Sequence, residues 1–508
     1  MNSIELALFS SRINAICEQM GAVLKQTAFS PNIRDRLDYS CAIFDVDGQL
    51  CAQAAHIPVH LGSMTYAMQD VVKAREWQPG DTLILNNPYM GGTHLPDVTF
   101  ISPVFHNDKL TAFVANRAHH ADIGSESPGS MPISSALEEE GIIISPTLIC
   151  THGKIIEPEL EKIISRLRDP DIAIADFKAQ VSVNQTGNDA LLKLINNCKE
   201  INFEEYLNEL NKYARRIALN TFKELPEGEY HYIDIMDDDG LGHNNIEIAC
   251  TLKIKDGTVT VDFTDTSEQV TGNINCPVSV TAAAVYYCFR CLMPDYVPNC
   301  SGIFDLINLI VPENNLLNAS YPAAVAAGNV ETGTRVVDVV LGALAQAIPE
   351  KIPAASHGSM NNIAMGSTNW SYYETLGGGM GASALNDGIN AIQTHMTNTL
   401  NTPVEICETH FPLLIREYSL RSGSGGQGKH KGGDGLIRHY QFLEEAHVTL
   451  LTERRTHRPW GLNGGKDGKP GQNLLNNTPI PAKITLNVKP NDSLIVKTGG
   501  GGGWGRSG

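Results

Sequence analysis

The chain has 508 residues, which is long enough for about three structural units at roughly 150 residues per domain. Its 38 basic and 56 acidic residues give a formal net charge of −18, which argues against a nucleic-acid backbone or an anionic membrane surface as the main partner. The longest apolar runs, such as residues 338–348, are too short and too interrupted for a bilayer span of about 20 apolar residues. We therefore expect a large globular protein that binds neither nucleic acid nor a membrane.

The N-terminal segment, residues 1–30, predicts an amphipathic helix rather than a secretory signal. Glu5 precedes its apolar stretch and Arg12 follows it, which reverses the order found in a signal peptide. The eleven cysteines are scattered singly except for Cys288 and Cys291, and an odd number without regular spacing favours a reduced, cytoplasmic protein. The isolated pair predicts two buried thiols rather than a redox or metal motif.

Hydrophobic periodicity divides the chain into residues 1–225, 226–275 and 276–508. The first region mixes short strands, predicted at 80–89 and 110–120, with helices, predicted at 160–167 and 188–225.

The second region alternates with period two and carries a hairpin turn at 255–257, which predicts an antiparallel sheet. The third region begins with a helix at 280–293 and becomes rich in glycine. The fold class that follows is α+β, a mixed multilayer fold with antiparallel sheet regions and a glycine-rich C-terminal region.

A first candidate site lies in "GGTHLPD", residues 91–97. The two glycines allow a tight turn and Pro96 stiffens its exit, so the turn brings His94 and Asp97 close together. The pair is either a structural hydrogen bond or part of a metal or catalytic site, and the spacing leaves both open.

A second candidate site lies in "RAHHAD", residues 117–122, at the end of a predicted strand. Successive side chains of a strand point to opposite faces, so His119 and His120 should face opposite sides, with Arg117 on the face of His119. One of the two histidines is then a candidate ligand, while Asp122 falls in the following turn.

A third polar cluster, around residues 35–60, contains Asp38, His56 and His60. Its "DVDG" stretch is most simply a hairpin turn, because the glutamate and the full spacing of a calcium loop are missing. Asp38 lies among apolar residues, where a carboxylate is costly unless it is paired or bound to metal.

Two histidines and two carboxylates therefore form a candidate set, namely Asp38, His94, Asp97 and His119. Nitrogen and oxygen ligands of this kind suit a divalent ion such as Mn, Zn or Fe. A hydrogen-bonded polar core is the alternative interpretation. The stretch at residues 423–430 is one residue short of a phosphate-binding loop, since His430 replaces its hydroxyl residue, so we expect no nucleotide site there.

Several longer motifs carry a resemblance to a known family. They include "RLDYSCAIFD", "GDTLILNNPYMGGTHLPDVTFISPVF", "RAHHADIGSESPGSMP", "DFTDTSEQVTGNINCP", "AAGNVETGTRVVDVVLGAL" and "ERRTHRPWGLNGG". Residues 5–508 resemble one B-type unit of the ATP-dependent hydantoinase, oxoprolinase and ketone carboxylase family, with the B-type chains of ATP-hydrolysing N-methylhydantoinases as the nearest type.

The resemblance implies a partner, a cofactor and site residues. Its B-type chains work with an A-type, actin-like ATPase subunit that uses ATP to phosphorylate a substrate carbonyl, which implies a hetero-oligomer. They hold a divalent metal, and the matching motifs carry its ligands over to Asp38, His94, Asp97 and His119. The resemblance makes three neighbours candidates for catalysis or substrate contact, namely Arg117, His120 and Asp122.

The function implied is a hydrolase that opens cyclic amides such as hydantoins, 5-oxoproline or lactams. A metal in the B-type chain would lower the pKa of its bound water and so supply hydroxide to the phosphorylated amide. Two alternatives remain open at this point. One is a subunit of an ATP-dependent ketone carboxylase, and the other is a non-catalytic structural subunit.

Overall fold

The computed structural model describes residues 3–54, 57–197 and 203–507. Its helices are α1 Ser3–Thr27, α2 Pro31–Arg34, α3 Pro58–Lys73, α4 Glu157–Ile164, α5 Pro170–Asn197, α6 Phe203–Lys223, α7 Val278–Arg290, α8 Gly333–Ala347 and α9 Val404–His410. The predicted N-terminal helix is α1, and the run predicted helical at 188–225 covers the end of α5 and all of α6; residues 198–202 of that run lie outside the described residues.

The strands of the first half are β1 Tyr39–Phe44, β2 Leu50–Ala54, β3 Thr82–Leu85, β4 Asp97–His106, β5 Lys109–His119, β6 Thr147–Thr151, β7 Lys154–Ile155, β8 Gly228–Asp238, β9 Asn244–Lys255, β10 Thr258–Asp262 and β11 Ile307–Ile310. Those of the second half are β12 Asn362–Gly366, β13 Ser371–Thr375, β14 Leu413–Arg421, β15 Gly435–Phe442, β16 Ala446–Leu451, β17 Gln472–Leu475, β18 Thr478–Ile480, β19 Lys483–Val488 and β20 Ser493–Lys497.

The strands form four sheets. Their orders are β2-β1-β5-β4-β3-β6-β7, β11-β10-β9-β8, β13-β12-β16-β19 and β14-β15-β20-β17-β18. Helices and antiparallel sheets thus occur together, and the α+β prediction is confirmed. The predicted 255–257 hairpin joins β9 to β10, while β11 comes from beyond the predicted β region and pairs parallel to β10.

The seven-stranded sheet is covered on both faces, and its strands alternate accordingly. Ala42, Phe113 and Ala115 pack in one apolar cluster with Met64 and other residues of α3. Cys41, Ile43 and Val114 pack in another cluster, which includes residues of α1 and α5. The centre of this sheet is therefore fully buried, and the side chains at the ends of its strands are presented either to the α3 face or to the α5 face.

The glycine-rich segments of the third region pack backbone against backbone. Gly501 donates its N–H to the carbonyl of Gly433, Gly433 donates to Met380, and Gly426 donates to Gly501. A Cβ added to Gly501 would overlap the Met380 carbonyl, so a side chain there has no room. These glycines thus build the interior of the region rather than a series of surface turns.

The cysteines differ in one respect from expectation. Cys288 is buried against α8, since its thiol lies 3.8 Å from the carbonyl of Val337, but Cys291 is exposed at the end of α7. The prediction of two buried thiols is therefore wrong for Cys291. The helix ends at residue 290 and the chain turns to the surface there.

Candidate metal centre

Asp97, the first residue of β4, is the centre of a buried cluster of histidines. Its Oδ1 lies 3.3 Å from Nε2 of His94 and 3.2 Å from Nδ1 of His119, and its Oδ2 lies 3.4 Å from Nε2 of His60. The Thr93 hydroxyl donates to Oδ2 over 2.5 Å. All of these side chains except that of Thr93 carry groups that bind divalent metals.

The turn before β4 places His94 beside Asp97. It follows a 3-10 turn at Pro88–Met90 and is held by Asn86, whose amide group donates to the carbonyl of Leu95 over 2.8 Å. A Cβ on Gly92 would overlap the carbonyl oxygen of Asn86, so the turn requires glycine at this position. The Gly-Gly turn therefore serves to close the backbone onto Asn86 and to present His94.

Strand pairing places His119 and Asp38. In the β4–β5 register, Asp97 stands opposite His119, and the backbone N–H of His119 donates to the carbonyl of Asp38 over 3.0 Å. Directly opposite residues of an antiparallel pair have neighbouring side chains. The cluster thus lies at the end of three adjacent strands, on the face covered by α3, which contributes His60.

A small cavity of about 20 Å³ adjoins the cluster. Asp38, His60, Asp97 and His119 line it, together with Asn329, Val330, Tyr373, Thr397 and other residues from distant parts of the chain. A volume of this size holds about one water molecule or one ion. Ring-sized molecules do not fit.

Unpaired nitrogen atoms identify the ligands that a metal would take. Nε2 of His119 is buried and has no hydrogen-bond partner among the described residues, and Nε2 of His94, although 3.3 Å from Oδ1 of Asp97, does not have the geometry of a hydrogen bond. His94, Asp97 and His119 offer ligand atoms that all lie within 4.8 Å of one another. Buried polar atoms without partners are rare, so this donor set fits a divalent cation.

Asp38, the fourth predicted ligand, lines the same cavity but stands apart from that compact group of three. Its Oδ2 lies 4.0 Å from Nη2 of Arg36, and the Arg36 guanidinium is fully buried over the ring of Tyr373 at 5.0 Å. The structure therefore places three of the four predicted ligands around this cavity, namely Asp38, Asp97 and His119, while His94 joins Asp97 and His119 in the group whose ligand atoms lie in mutual reach.

The charges within the cluster support one another. Burial opposes ionisation of Asp97, yet the surrounding histidines, with His94 foremost, hold its pKa well below its ordinary value. Burial likewise opposes protonation of His94, but Asp97 raises the pKa of that imidazole. Burial lowers the pKa of His119. The Asp97 carboxylate therefore stays charged, and a buried charge of this kind is stable only beside a positive charge.

Further side chains fix the histidines from behind. Nδ1 of His94 lies 3.3 Å from the carbonyl of Ala326, whose own N–H donates to the buried carboxyl of Glu140 over 2.9 Å. Burial raises the pKa of Glu140 to about 7. Partners of this kind orient a ligand imidazole.

Tyr373 supports His119. The two rings stack at 4.7 Å with an interplanar angle of 14°. The Tyr373 hydroxyl donates to Oδ1 of Asn362 over 2.6 Å, and Nδ2 of Asn362 donates to Glu331 over 2.7 Å. Burial raises the pKa of Glu331 to about 8. This chain of hydrogen bonds holds the ring that covers His119.

His120 faces the opposite side of the sheet, as the strand alternation predicted. Its Nε2 lies 2.9 Å from Oε1 of Gln180 in α5, and its ring packs edge-on against Phe177. It therefore does not join the cluster around Asp97.

Arg117 and Asp122 also lie outside the cluster. Arg117 is buried and donates to Thr99, to Ser63 of α3 and to the carbonyl of Gly91. Asp122 accepts hydrogen bonds from the backbone N–H groups of Gly124 and Arg168. Arg117 thereby ties α3 and the Gly-Gly turn to β5, and Asp122 fixes the loop after β5.

His60 belongs to the cluster although it was absent from the predicted ligand set. Its Nδ1 lies 3.0 Å from the hydroxyl of Ser40 and its Nε2 faces Asp97. Its place in the polar stretch around Asp38 was the available signal, but the packing of α3 on the sheet decides its position. His56, from the same stretch, lies outside the described residues.

The comparisons with known proteins agree with these motifs. The model of the hydantoinase B/oxoprolinase family matches residues 2–507, and the chain therefore belongs to that family. This confirms the resemblance found in the sequence.

Relatives differ in length and in the names they carry. A protein of Methanocaldococcus jannaschii is 39% identical, with 99% of this chain and 91% of that protein covered. The 5-oxoprolinase of Dictyostelium discoideum is 38% identical over 100% of this chain, which spans 40% of that enzyme. A putative D-/L-hydantoinase B subunit of a Pseudomonas species is 29% identical, with 99% of this chain and 90% of that protein covered.

Two solved structures share the fold. An ATP-dependent caprolactamase from Pseudomonas jessenii superimposes with a TM-score of 0.93 at 25% identity, covering 100% of this chain and 91% of that one. Nucleotide-free acetone carboxylase gives a TM-score of 0.88 at 17% identity, covering 100% and 76%, which shows the fold. Among the described residues, none of the helices combines the length and apolar character needed to cross a bilayer.

Proposed function

We propose that this chain is the metal-binding B-type component of an ATP-dependent cyclic amidohydrolase. Its substrates would be hydantoins, 5-oxoproline or lactams whose carbonyl oxygen a partner subunit has phosphorylated. The observation that carries the proposal is the buried group of His94, Asp97 and His119, with two unpaired imidazole nitrogens, in a member of this family.

The ligands of the proposal are Asp38, His94, Asp97 and His119, and the ion is Mn, Zn or Fe. Such an ion, when bound, supplies a Lewis acid and lowers the pKa of coordinated water. The chain's own residues prepare the place for it. Asp97 orients two imidazoles, Tyr373 covers His119, and the carboxylate of Asp97 is itself buried.

The chemistry of amides explains why ATP is required. Resonance makes the amide carbon a poor electrophile, whereas phosphorylation of the oxygen turns that oxygen into a leaving group. Hydroxide can then add to the phosphorylated carbon. The C–N bond of the ring breaks as the nitrogen takes up a proton, and a second water hydrolyses the resulting acyl phosphate to the carboxylate and phosphate. Arg117, His120 and Asp122 remain predictions as catalytic residues; in the structure they contact protein groups around the centre.

The partner in this proposal is an A-type, actin-like ATPase subunit in a cytoplasmic hetero-oligomer. Three observations support it: the chain spans 40% of the Dictyostelium 5-oxoprolinase, a relative carries the name of one component of a hydantoinase, and the described cysteines are all unpaired. The stretch at 423–430 leads into β15 rather than into a helix, so it offers no phosphate-binding loop.

The test is ATP-dependent turnover by the co-purified pair of subunits. We expect ring opening of at least one of 5-oxoproline, hydantoin and ε-caprolactam without bicarbonate, and loss of that activity in His94→Ala. Carboxylation of acetone or acetophenone only when bicarbonate is present would select the ketone carboxylase instead. Full turnover by a correctly assembled His94→Ala complex would instead favour the alternative that this chain is a non-catalytic structural subunit.

A further inference from the structure

The metal centre leaves open where a ring-shaped substrate is held. Its cavity of about 20 Å³ has no room for a five- or seven-membered ring. A larger cavity of about 550 Å³ lies on the other face of the same sheet, and small-molecule sites are typically about 300–1,000 Å³.

The two cavities share their walls. β5 ends with His119 on the metal cavity and continues to His120 on the larger one. β13 likewise presents Tyr373 to the metal cavity and Ser371 to the larger one. We call the larger cavity the outer cavity; it is lined by Phe29, Arg34, His120, Ile172, Ser371, Trp370, Phe411 and neighbouring residues.

His120 offers a hydrogen-bond acceptor to the outer cavity. The amide group of Gln180 donates to the Val98 carbonyl and to Asn116, which fixes its Oε1 as the atom that faces His120. Because Oε1 only accepts, Nε2 of His120 must carry the hydrogen, and Nδ1 of the neutral ring is then an acceptor. The side chain is 4% exposed, and Nδ1 has no partner in the part of the chain that the structure describes.

Other wall residues offer donors. The Ser371 oxygen accepts from the Gly129 N–H over 2.7 Å, which leaves its hydroxyl proton free. Among the described residues, the Arg34 guanidinium hydrogen-bonds to Asp35 through Nε and Nη2. Three carboxylates of the wall already accept backbone hydrogen bonds: Asp122 and Asp176 accept two N–H groups each, and Asp169 accepts the N–H of Ile172.

The remaining wall is mixed, since Arg168, Thr368, Asn369 and His410 line it beside apolar side chains. Ile172 and Phe29 are partly exposed there, and Trp370 packs against Phe411 with ring centroids 5.8 Å apart. A flat ring is well accommodated between such side chains. A small ring that carries both an N–H donor and a carbonyl or carboxylate acceptor could therefore hydrogen-bond to His120 on one side and to Ser371 and Arg34 on the other.

We propose that the outer cavity is the holding site for the cyclic amide, with the ring N–H donating to Nδ1 of His120 and the carbonyl accepting from the Ser371–Arg34 side. This inference rests on the proposed function and adds the substrate subsite. A third cavity of about 360 Å³ near Tyr66 and Met90 is less suited, because its Ser279 hydroxyl already donates to Gly92.

Direct binding to the purified full chain tests the site independently of turnover. The probes are δ-valerolactam and its N-methyl derivative, titrated by ligand-observed NMR. We expect the N-methyl lactam to bind about fivefold more weakly to the native chain, because it lacks the donor. His120→Leu should weaken the binding of δ-valerolactam by a similar factor, so that the chain no longer prefers δ-valerolactam over its N-methyl derivative.

Two matched variants locate the site. Ile172→Trp, which fills the outer cavity from a partly exposed helix position, should abolish binding of both probes, whereas Tyr66→Ala in the third cavity should change neither. Circular dichroism checks that each variant is folded.

The proposal is overturned if neither lactam binds the native chain at millimolar concentration, if His120→Leu retains the preference, or if Tyr66→Ala is as damaging as Ile172→Trp. These outcomes would not contradict the proposed function, because turnover by the two-subunit enzyme is measured separately. Conversely, if the lactams bind as expected but the two-subunit enzyme shows no ATP-dependent ring opening, the proposed function is rejected while the lactam-binding site in the outer cavity is supported.

Discussion

The protein contains two buried polar clusters that differ in how their charges are compensated. One is the metal centre around Asp97; the other, here called the ion network, joins β8, α8 and the segment after β16. In the network, Arg454 lies 2.5 Å from Asp338 and 2.7 Å from Asp234, and Lys483 lies 2.5 Å from Glu453.

The network contains arginine and lysine cations of its own, whereas the centre has histidines. Arg335 lies 3.3 Å from Glu453 and Lys483 lies 3.8 Å from Asp238, so three cations face four carboxylates in the described network. Among the described residues, the positive partners of Asp97 are histidines, and Nε2 of His94 and Nε2 of His119 make no hydrogen bond. Nε of Arg335, Nε of Arg454 and Oδ1 of Asp338 in the network also lack hydrogen-bond partners, so the two clusters differ in their cations rather than in unpaired atoms. A cluster that holds its own arginine and lysine cations serves the fold, whereas one that needs an added cation points to function.

Breaking the ion network should have the largest effect on stability. Arg454→Ala leaves Asp234 and Asp338 buried without their nearest cation, which should lower the free energy of unfolding by about 3–5 kcal/mol. Urea unfolding of the purified chain measures this, with exposed Arg458→Ala as the control, expected within about 0.5 kcal/mol of the native chain. If Arg454→Ala and Arg458→Ala are equally stable, the ion network does not stabilise the fold and the difference between the two clusters is not supported.

Breaking the metal centre should cost activity rather than the fold. His94→Ala removes one of the three ligands that lie in mutual reach and should lower metal content and reduce turnover by at least about a hundredfold. Metal analysis by mass spectrometry and turnover by the assembled pair are the measurements. His447→Ala, at an exposed position, is the control and should keep both. Retention of the metal by His94→Ala would contradict the assignment.

The pH dependence of stability should reveal the carboxyl group behind His94. Burial raises the pKa of Glu140 from 4.5 to about 7, so folding favours its protonated form. Its contribution to stability is full below the unfolded pKa and is lost as the pH rises from 4.5 to about 7. Metal-free native chain should therefore lose stability with pH more steeply than Glu140→Gln, by about 1.4 kcal/mol per pH unit in this window.

Urea unfolding of both chains at about pH 5, 6 and 7 measures this difference in slope. Parallel profiles would show that Glu140 does not change its protonation on folding.

The smallest effect should come from Tyr373→Phe. The ring that stacks on His119 remains, while the hydrogen bond to Asn362 is lost, which should cost about 0.5–1.5 kcal/mol. Tyr373→Leu, which also removes the stack, should in addition weaken metal binding by about tenfold. If both variants bind metal equally well, the stack does not position His119.

Local chemistry in the sequence was sufficient for part of this picture. The turn before Asp97 follows from its glycines, and the opposite orientations of His119 and His120 follow from strand alternation. The family motifs supplied the four proposed ligands, of which Asp38, Asp97 and His119 line one cavity and His94 lies beside Asp97.

Other parts depend on packing between distant segments and were not readable. His60 reaches Asp97 only because α3 lies on the sheet, and Tyr373 covers His119 from more than 250 positions along the chain. No local pattern encodes such contacts. The two cavities on opposite faces of β5 likewise follow from the closure of α2, α5 and β13 around it.

The interlocked glycines have a consequence for the order in which the protein folds. Met380 and Gly433 accept and donate hydrogen bonds that end at Gly501, so the segment before Thr397 and Thr399 cannot settle until the last glycines have been synthesised. Those two threonines line the metal cavity. We therefore expect the centre to close only after residues 499–503 have been translated, so that metal loading follows the synthesis of this segment.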